Sequence, residues 1–257
     1  MSTYLASHSI APFTPPPRHI LERFHPTDCI GAEALAGLQR GLELDQRTFL
    51  DEFGSVWREV GNLQRTRLKW YRFLQLGLFA RIVVSEEIEG DYAEFGTWRG
   101  GSLYLVASEW RRLGQERRLQ GFDSFEGLPA PDPYLDGSLL SAGMFDDLDL
   151  GEVQAFFDGK GMSEVELVQG WFEDTVQAVD DRSLALCHVD ADCYESCKLA
   201  LEHGYERLVP GGYLVLDDYR QPDCSGATIA AEEFFARRKE VIRMSPGIDC
   251  SGWVRKL

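Results

Sequence analysis

Three aspartates stand at points where apolar segments of the sequence end. Asp190 ends the apolar run 184–190, and the pair Asp217 and Asp218 follows the run 213–216. If the two runs are neighbouring strands of a parallel sheet, the three carboxylates converge at one edge. Ionised carboxylates this close repel each other unless a cation lies between them or one of them takes a proton. Oxygen-only ligands select a hard ion, so we predict a Mg²⁺ site, with helix capping by these aspartates as the alternative.

A glycine-rich turn follows an earlier predicted strand. Glu94 precedes Gly96, and Gly100 follows in a G-x-x-x-G spacing, unlike the G-x-G-x-x-G spacing of dinucleotide sites. Glycines let a ligand approach the backbone, and the next helix N-terminus adds positive partial charge. The preceding acid suits the cationic amino-acid end of S-adenosylmethionine, although a plain strand–helix turn would look the same. Asp123 ends the next predicted strand, where an acid can accept hydrogen bonds from ribose hydroxyls.

Alternating strand and helix patterns would position these residues. From Asp91 onward, short apolar runs alternate with amphipathic segments. This alternation predicts repeated βα units, and so an α/β fold with an open, doubly wound, mainly parallel sheet. We expect its main strands at 92–95, 118–123, 165–168, 184–190 and 213–216. Ligands bind outside the carboxyl ends of the strands in such sheets, which is where the acids and glycines fall.

The chain divides into three predicted parts. Residues 1–30 are expected to form an irregular N-terminal arm. Residues 31–90 show helical periodicity and predict a helical cap packed on the main domain. Residues 91–257 form the sheet domain. We assign three basic side chains to the solvated face of the cap, namely Arg65, Arg67 and Lys69.

Charge and composition exclude several classes of partner. The 257 residues carry 26 Lys+Arg against 42 Asp+Glu, a formal net charge of -16. Phosphate backbones and anionic membranes repel such a chain, so we expect neither a nucleic-acid nor a membrane partner. The sequence shows no signal peptide and no run of ~18 apolar residues, so we expect a cytoplasmic protein. We interpret Cys187 and Cys197, which lie in apolar patterns, as buried free thiols.

Several motifs, taken together and in order, resemble the macrocin-type (TylF-type) sugar O-methyltransferases, which methylate macrolide and aminocoumarin sugars. The resemblance spans about residues 65–257. It rests on the stretches Glu94 to Gly101, Phe122 to Pro129, Gly170 to Thr175, Val189 to Ser196, Pro210 to Tyr219 and Ile248 to Trp253. The resemblance implies a class I methyltransferase fold, S-adenosylmethionine as methyl donor, Mg²⁺ and a homodimer.

The resemblance also assigns roles to residues. It implies that Asp190, Asp217 and Asp218 are the Mg²⁺ ligands and that Asp192 is a candidate general base. Together with the glycine turn, it gives the predicted cofactor-binding residues as Glu94, Gly96, Thr97, Gly100, Asp123, Ser124, Gly170, Trp171 and Phe172.

Other assignments leave alternatives open. Trp171, Phe172 or Asp174 is expected to contact the adenine, with core packing as the alternative for the two aromatic residues. The loop 128–143 matches the family's mobile lid, although an ordinary surface loop would look the same. Asp249 is a candidate contact to metal or substrate. Cys193 stands where the family often has leucine, which puts the acceptor in doubt more than the reaction.

The combined prediction is an enzyme. It would transfer a methyl group from S-adenosylmethionine to a hydroxyl of a small molecule, a sugar or other natural product, with Mg²⁺, in antibiotic biosynthesis. The alternatives are a catechol-type O-methyltransferase, a non-catalytic metabolite-binding relative and a nicotinamide oxidoreductase. The G-x-x-x-G spacing argues against the oxidoreductase, and the intact set of carboxylates argues against the non-catalytic relative.

Overall fold

The strands of the protein form one twisted sheet. The computed structural model describes residues 46–147, 149–244 and 250–257. Its strands are β1 (Asp91–Phe95), β2 (Leu119–Asp123), β3 (Val165–Gln169), β4 (Leu184–Val189), β5 (Leu208–Leu216), β6 (Arg243–Met244) and β7 (Gly252–Arg255). Their order is β3-β2-β1-β4-β5-β7-β6. Strands β1 to β5 are parallel, and β7 is antiparallel to both β5 and β6. The predicted α/β fold with a doubly wound, mainly parallel sheet is confirmed.

Helices cover both faces of the sheet. They are α1 (Gln46–Asn62), α2 (Trp70–Ser85), α3 (Gly101–Arg112), α4 (Leu150–Gly159), α5 (Phe172–Thr175), α6 (Tyr194–Ala200) and α7 (Ser225–Phe235). Successive side chains of a strand point to opposite faces. In β5, Tyr213 and Val215 therefore join the apolar cluster under α1 to α4, whereas Leu214 and Leu216 join the cluster under α6 and α7. Because helices cover both faces, the central strand β4 is buried along its whole length and almost wholly apolar.

Helices α1 and α2 precede the first strand, and α2 lies deep in the structure. Every residue of α2 from Arg72 to Val83 is buried, because the helix packs against α3, β4 and β5. Its buried polar side chains have partners, as when Arg81 Nε donates to Glu109 Oε2 at 2.7 Å. The predicted arm 1–30 and the start of the predicted cap lie outside the described residues.

The segment before β5 differs from its prediction. The helical spacing of Cys197, Ala200, Leu201 and Leu208 predicts one helix over residues 195–208. Instead, α6 ends at Ala200 and is followed by a wide π-type turn, Leu201–Tyr205. Gly204 lies so close to the sheet that a Cβ there would stand 2.6 Å from Phe95 Cε2. Strand β5 then begins at Leu208, earlier than expected, because the Gly211 N–H also pairs with the returning C-terminal chain at Lys256 O, 2.8 Å away.

The cysteines and the lengths of the helices also bear on the sequence predictions. Cys187 and Cys197 are buried free thiols, as predicted. Among the residues that the structure describes, no helix combines the length and the apolar character needed to cross a membrane.

Candidate active site

A single cleft opens at the carboxyl ends of the parallel strands and brings most of the predicted site residues together. It encloses about 1050 Å³, its open mouth included. The predicted residues that line it are Gly96, Thr97, Asp123, Ser124, Trp171, Phe172, Asp190, Asp192, Asp217 and Asp218. The glycine turn and the aspartate group are therefore two ends of one continuous space.

Gly96 joins these two ends. It has φ +94°, a conformation that L side chains rarely adopt, and a Cβ there would lie 1.7 Å from Asp190 O. The close approach follows from sheet pairing, because Asp190 N donates to Phe95 O at 2.9 Å. Only glycine fits between the end of β1 and the end of β4. The backbone of the predicted cofactor turn is thus held directly against the first predicted metal ligand.

Asp123 and Thr97 provide polar atoms on the cofactor side of the cleft. Asp123 Oδ2 accepts the Trp98 N–H at 2.7 Å and Oδ1 accepts the Phe125 N–H at 2.8 Å. Burial raises the pKa of Asp123. Each carboxylate oxygen still has a lone pair for a ligand hydroxyl. The buried Thr97 hydroxyl has no hydrogen-bond partner in the described part of the chain, and it lies against Gly121 of β2, where an added Cβ would come within 2.5 Å of it.

Three predicted cofactor residues do not line the cleft. Glu94 is fully buried in the sheet, where its Oε2 accepts the Tyr92 hydroxyl at 2.7 Å and lies 3.1 Å from His188 Nδ1. Gly100 has φ +77° and leaves room for the Phe157 ring, because a Cβ would come within 2.8 Å of that ring. The N–H of Gly170 donates to the backbone oxygen of Asp123. In this structure these residues support the walls of the cleft.

The aspartates converge as their strand positions require. One oxygen each of Asp190, Asp217 and Asp218 lies within 4.8 Å of the others. Burial and the neighbouring carboxylates raise the pKa of Asp190 and of Asp218 well above the usual range. Asp218 Oδ2 is buried without a hydrogen-bond partner among the described residues. An oxygen-only set with an orphaned buried carboxylate oxygen fits a hard divalent ion.

Two cations that the sequence did not reveal flank Asp217. Arg72 Nη1 lies 2.6 Å from Asp217 Oδ2 and 3.8 Å from Asp218 Oδ1, and its Nη2 donates to Gln221 at 3.1 Å. His188 Nε2 lies 3.9 Å from Asp217 Oδ1. Burial by itself would lower the pKa of His188, but hydrogen bonds to the carboxylates raise it to about 9. The neighbouring carboxylates therefore favour the protonated form of His188.

Asp192 stands beside the aspartate group. It follows β4 with φ 56°, a left-handed conformation that is uncommon for residues other than glycine. Its Oδ1 accepts a hydrogen bond from the thiol of Cys224 at 3.3 Å. Burial raises the pKa of Asp192 to about 6. Asp192 also lines the cleft.

The segment between α1 and α2 forms part of the cleft mouth. The prediction that Arg65 is solvated is wrong, because Arg65 lines the cleft, donates to Arg99 O at 2.9 Å and covers the Phe156 ring. Arg67 is exposed, as predicted, but it also lies 5.1 Å from the centre of the Trp98 ring. Arg65 lies here because its backbone oxygen accepts a hydrogen bond from Gly101 N, the first N–H of α3. This hydrogen bond holds the segment over the glycine turn.

The predicted lid also reaches the site. Leu128 and Pro129 line the cleft. Further along the loop, Asp136 Oδ1 accepts the N–H of Tyr194 at 2.7 Å. Tyr194 comes two residues after Asp192. The loop is thus anchored beside the candidate base. Asp249, the other candidate contact, lies outside the described residues.

The chain matches a known family of proteins. The macrocin O-methyltransferase (TylF) family matches residues 54–253, well over half of the chain. The chain belongs to this family. It is therefore an S-adenosylmethionine-dependent O-methyltransferase.

Two named O-methyltransferases are moderately similar to this chain. The 8-demethyl-8-(2,3-dimethoxy-alpha-L-rhamnosyl)-tetracenomycin-C 4'-O-methyltransferase of Streptomyces olivaceus is 33% identical over 183 residues, which cover 68% of this chain and 69% of that protein. Mycinamicin III 3''-O-methyltransferase of Micromonospora griseorubida is 27% identical over 194 residues, or 72% and 76% of the two chains.

Solved structures show the same fold. The O-methyltransferase NovP matches with a TM-score of 0.67 and 24% identity, covering 75% of this chain and 82% of NovP. The calicheamicin methyltransferase CalS11 matches with a TM-score of 0.65 and 22% identity, covering 95% of each chain. These likenesses support the class I methyltransferase architecture.

Proposed function

We propose that this TylF-family enzyme is a Mg²⁺-dependent O-methyltransferase that acts on a sugar hydroxyl of a natural product in antibiotic biosynthesis. The observation that carries the proposal is the single cleft that joins the glycine turn to the group of Asp190, Asp217 and Asp218. Two similar enzymes are named for methylating a rhamnosyl tetracenomycin and mycinamicin III, which supports a glycosylated acceptor.

The cofactor half of the cleft would hold S-adenosylmethionine, which supplies the methyl group. Gly96 leaves the backbone open to the amino-acid end, and Asp123 offers acceptor atoms for ribose hydroxyls. Thr97 lines the same half of the cleft, and its hydroxyl would provide a further polar contact. Trp171 and Phe172 line the same space and would pack against the adenine, as the sequence suggested.

The acidic half would hold the metal ion. When bound, Mg²⁺ supplies Lewis-acid chemistry that makes a hydroxyl more acidic. Arg72 and protonated His188 offset two of the carboxylate charges in this region, and a divalent ion would offset two more. The ligands Asp190, Asp217 and Asp218 stand at the ends of rigid strands, so little rearrangement is required to receive it.

Asp192 would accept the acceptor's proton. The hydroxyl O–H bond breaks, the proton passes to a carboxylate oxygen of Asp192, and the oxygen bonds to the methyl carbon as the carbon–sulfur bond breaks. Proton transfer of this kind contributes about 10²–10⁴-fold to a rate. We expect Asp192→Asn to lower kcat by about that factor and to leave the affinity for S-adenosylhomocysteine unchanged. Equal losses in kcat and in cofactor affinity would contradict the base assignment.

Methyl transfer to a panel of acceptors tests the proposed function. The enzyme is incubated with methyl-labelled S-adenosylmethionine, with Mg²⁺ or with EDTA, and with sugar-bearing natural products or catechols. We expect labelled sugar products that disappear with EDTA. Labelling of catechols alone would replace the proposal by a catechol-type activity, and undiminished labelling in EDTA would refute the metal requirement.

Assembly and domain organisation stay predictions. We expect a homodimer, which light scattering on the purified full-length chain would reveal. The expected division into an arm (1–30), a helical segment (31–90) and a methyltransferase domain (91–257) would be tested by limited proteolysis, with cleavage concentrated in the arm.

A further inference from the structure

Cys224 lies beside two of the cleft carboxylates. Its Sγ and one oxygen each of Asp192 and Asp218 lie within 4.8 Å of one another. The thiol donates to Asp192 Oδ1 at 3.3 Å.

A second observation concerns Asp218, the carboxylate that this group shares with the predicted magnesium group. Asp218 is only 7% exposed, and its Oδ2 has no hydrogen-bond partner among the described residues. A buried carboxylate oxygen without a donor is costly unless a proton or a cation reaches it. The thiol hydrogen of Cys224 is already directed at Asp192 and does not satisfy this oxygen.

The three side chains come from rigid positions around the cleft. Asp192 follows β4, Asp218 follows β5, and Cys224 directly precedes the first turn of α7. The positive end of an α-helix stabilises a thiolate, and α7 has 11 residues. A cation at this point would therefore gain a sulfur ligand that the adjacent oxygen-only group does not contain.

We propose that Asp192, Asp218 and Cys224 form a second metal site, selective for a thiophilic divalent ion such as Zn²⁺. Sulfur and carboxylate ligands together suit zinc, whereas Mg²⁺ prefers oxygen alone. The ion replaces the proton on Sγ, a metal–sulfur bond forms, and the proton is released to solvent. Three protein ligands leave a fourth position of a tetrahedral ion open to the cleft.

Occupation of this site would inhibit methyl transfer. Asp218 belongs to both the Mg²⁺ group and the sulfur-containing group, so the two ions compete for one carboxylate. The thiophilic ion would also hold Asp192, the proposed base. This inhibitory consequence rests on the proposed function, whereas binding of the ion does not.

Cadmium provides a direct readout, because a cadmium–thiolate bond absorbs in the ultraviolet and an oxygen-bound ion does not. The full-length protein is titrated with Cd²⁺ in metal-free buffer, as wild type, Cys224→Ser and Cys193→Ser. Cys193 is a matched control, since it is buried near the same carboxylates but is outside the ligand group. We expect a saturable absorbance step in wild type and Cys193→Ser that is missing in Cys224→Ser, with one fewer proton released in that variant.

The outcomes separate this proposal from the magnesium site. A Cys224→Ser titration that superimposes on the wild-type curve would overturn the second site. If Asp218 is shared, added Mg²⁺ shifts the Cd²⁺ midpoint upward in wild type and not in Asp190→Asn, which loses only a ligand of the magnesium group. An absorbance step that requires Cys224 but ignores Mg²⁺ would refute the shared ligand and the inhibition, and would leave the thiophilic site standing.

Discussion

Replacing Arg72 with methionine tests whether α2 supplies a counter-ion to the cleft carboxylates. The Arg72 side chain is 8% exposed and contacts Asp217 at 2.6 Å. Removing one partner of a buried ion pair leaves an uncompensated charge and costs about 3–5 kcal/mol. In a chain of this size, each kcal/mol lowers Tm by about 2–4 °C. We therefore expect Tm of the metal-free variant to fall by about 6–20 °C.

Magnesium should restore part of this loss. A divalent ion bound by Asp217 supplies positive charge where the guanidinium was removed, so its binding stabilises the variant more than the wild type. Differential scanning calorimetry in EDTA and then in Mg²⁺ measures the Mg²⁺-induced increase in Tm for the wild type and for the variant. We expect the larger increase for Arg72→Met.

Arg81→Met is the matched control. Arg81 lies on the same helix, is equally buried, and contacts the buried Glu109 at 2.7 Å, away from the cleft. Its loss should lower Tm comparably but leave the Mg²⁺-induced increase at the wild-type value. If Arg72→Met and Arg81→Met respond equally to Mg²⁺, Arg72 has only a packing role and the reasoning fails.

Two further substitutions test the cofactor half of the cleft. Gly96→Ala should lower Tm and weaken S-adenosylhomocysteine binding at least about fivefold, because strained backbone of this kind costs about 1–3 kcal/mol before the 1.7 Å clash is counted. Gly159→Ala, which meets no atom within 4 Å, should change neither. Thr97→Val should leave Tm unchanged and weaken the same binding by about fivefold, the value of one hydrogen bond of about 1 kcal/mol. Calorimetric titration measures both, and wild-type affinity in either variant would contradict the cofactor assignment.

The convergence of the three metal-site aspartates could be predicted because it depends only on strand order. Strands β4 and β5 are neighbours and parallel, so residues that follow them must meet at one edge. The glycine turn could be predicted for a similar reason, since β1 pairs with β4 and places Gly96 against Asp190.

The contacts between distant segments could not be predicted in the same way. Arg72 and Asp217 are 145 positions apart, and their meeting depends on how α2 packs over the strand ends. Periodicity alone marks Arg72 as one polar residue in an apolar helix. The contact of Cys224 with Asp192 depends likewise on where the turn before α7 lies.

Arg65 shows a further limit of sequence reasoning. A basic residue between two helices usually lies in solvent. Here the backbone link from Arg65 O to the start of α3 brings the side chain over the Phe156 ring and into the cleft wall. No local sequence pattern encodes that link.

The central claim is that one cleft holds S-adenosylmethionine and a divalent ion in adjacent, separable sites. Calorimetric titration of wild type and Asp218→Asn with S-adenosylhomocysteine, and separately with Mg²⁺, tests it most directly. We expect both proteins to bind S-adenosylhomocysteine with similar affinity and only the wild type to bind Mg²⁺. Failure of the wild type to bind S-adenosylhomocysteine, or undiminished Mg²⁺ binding by Asp218→Asn, would contradict the account.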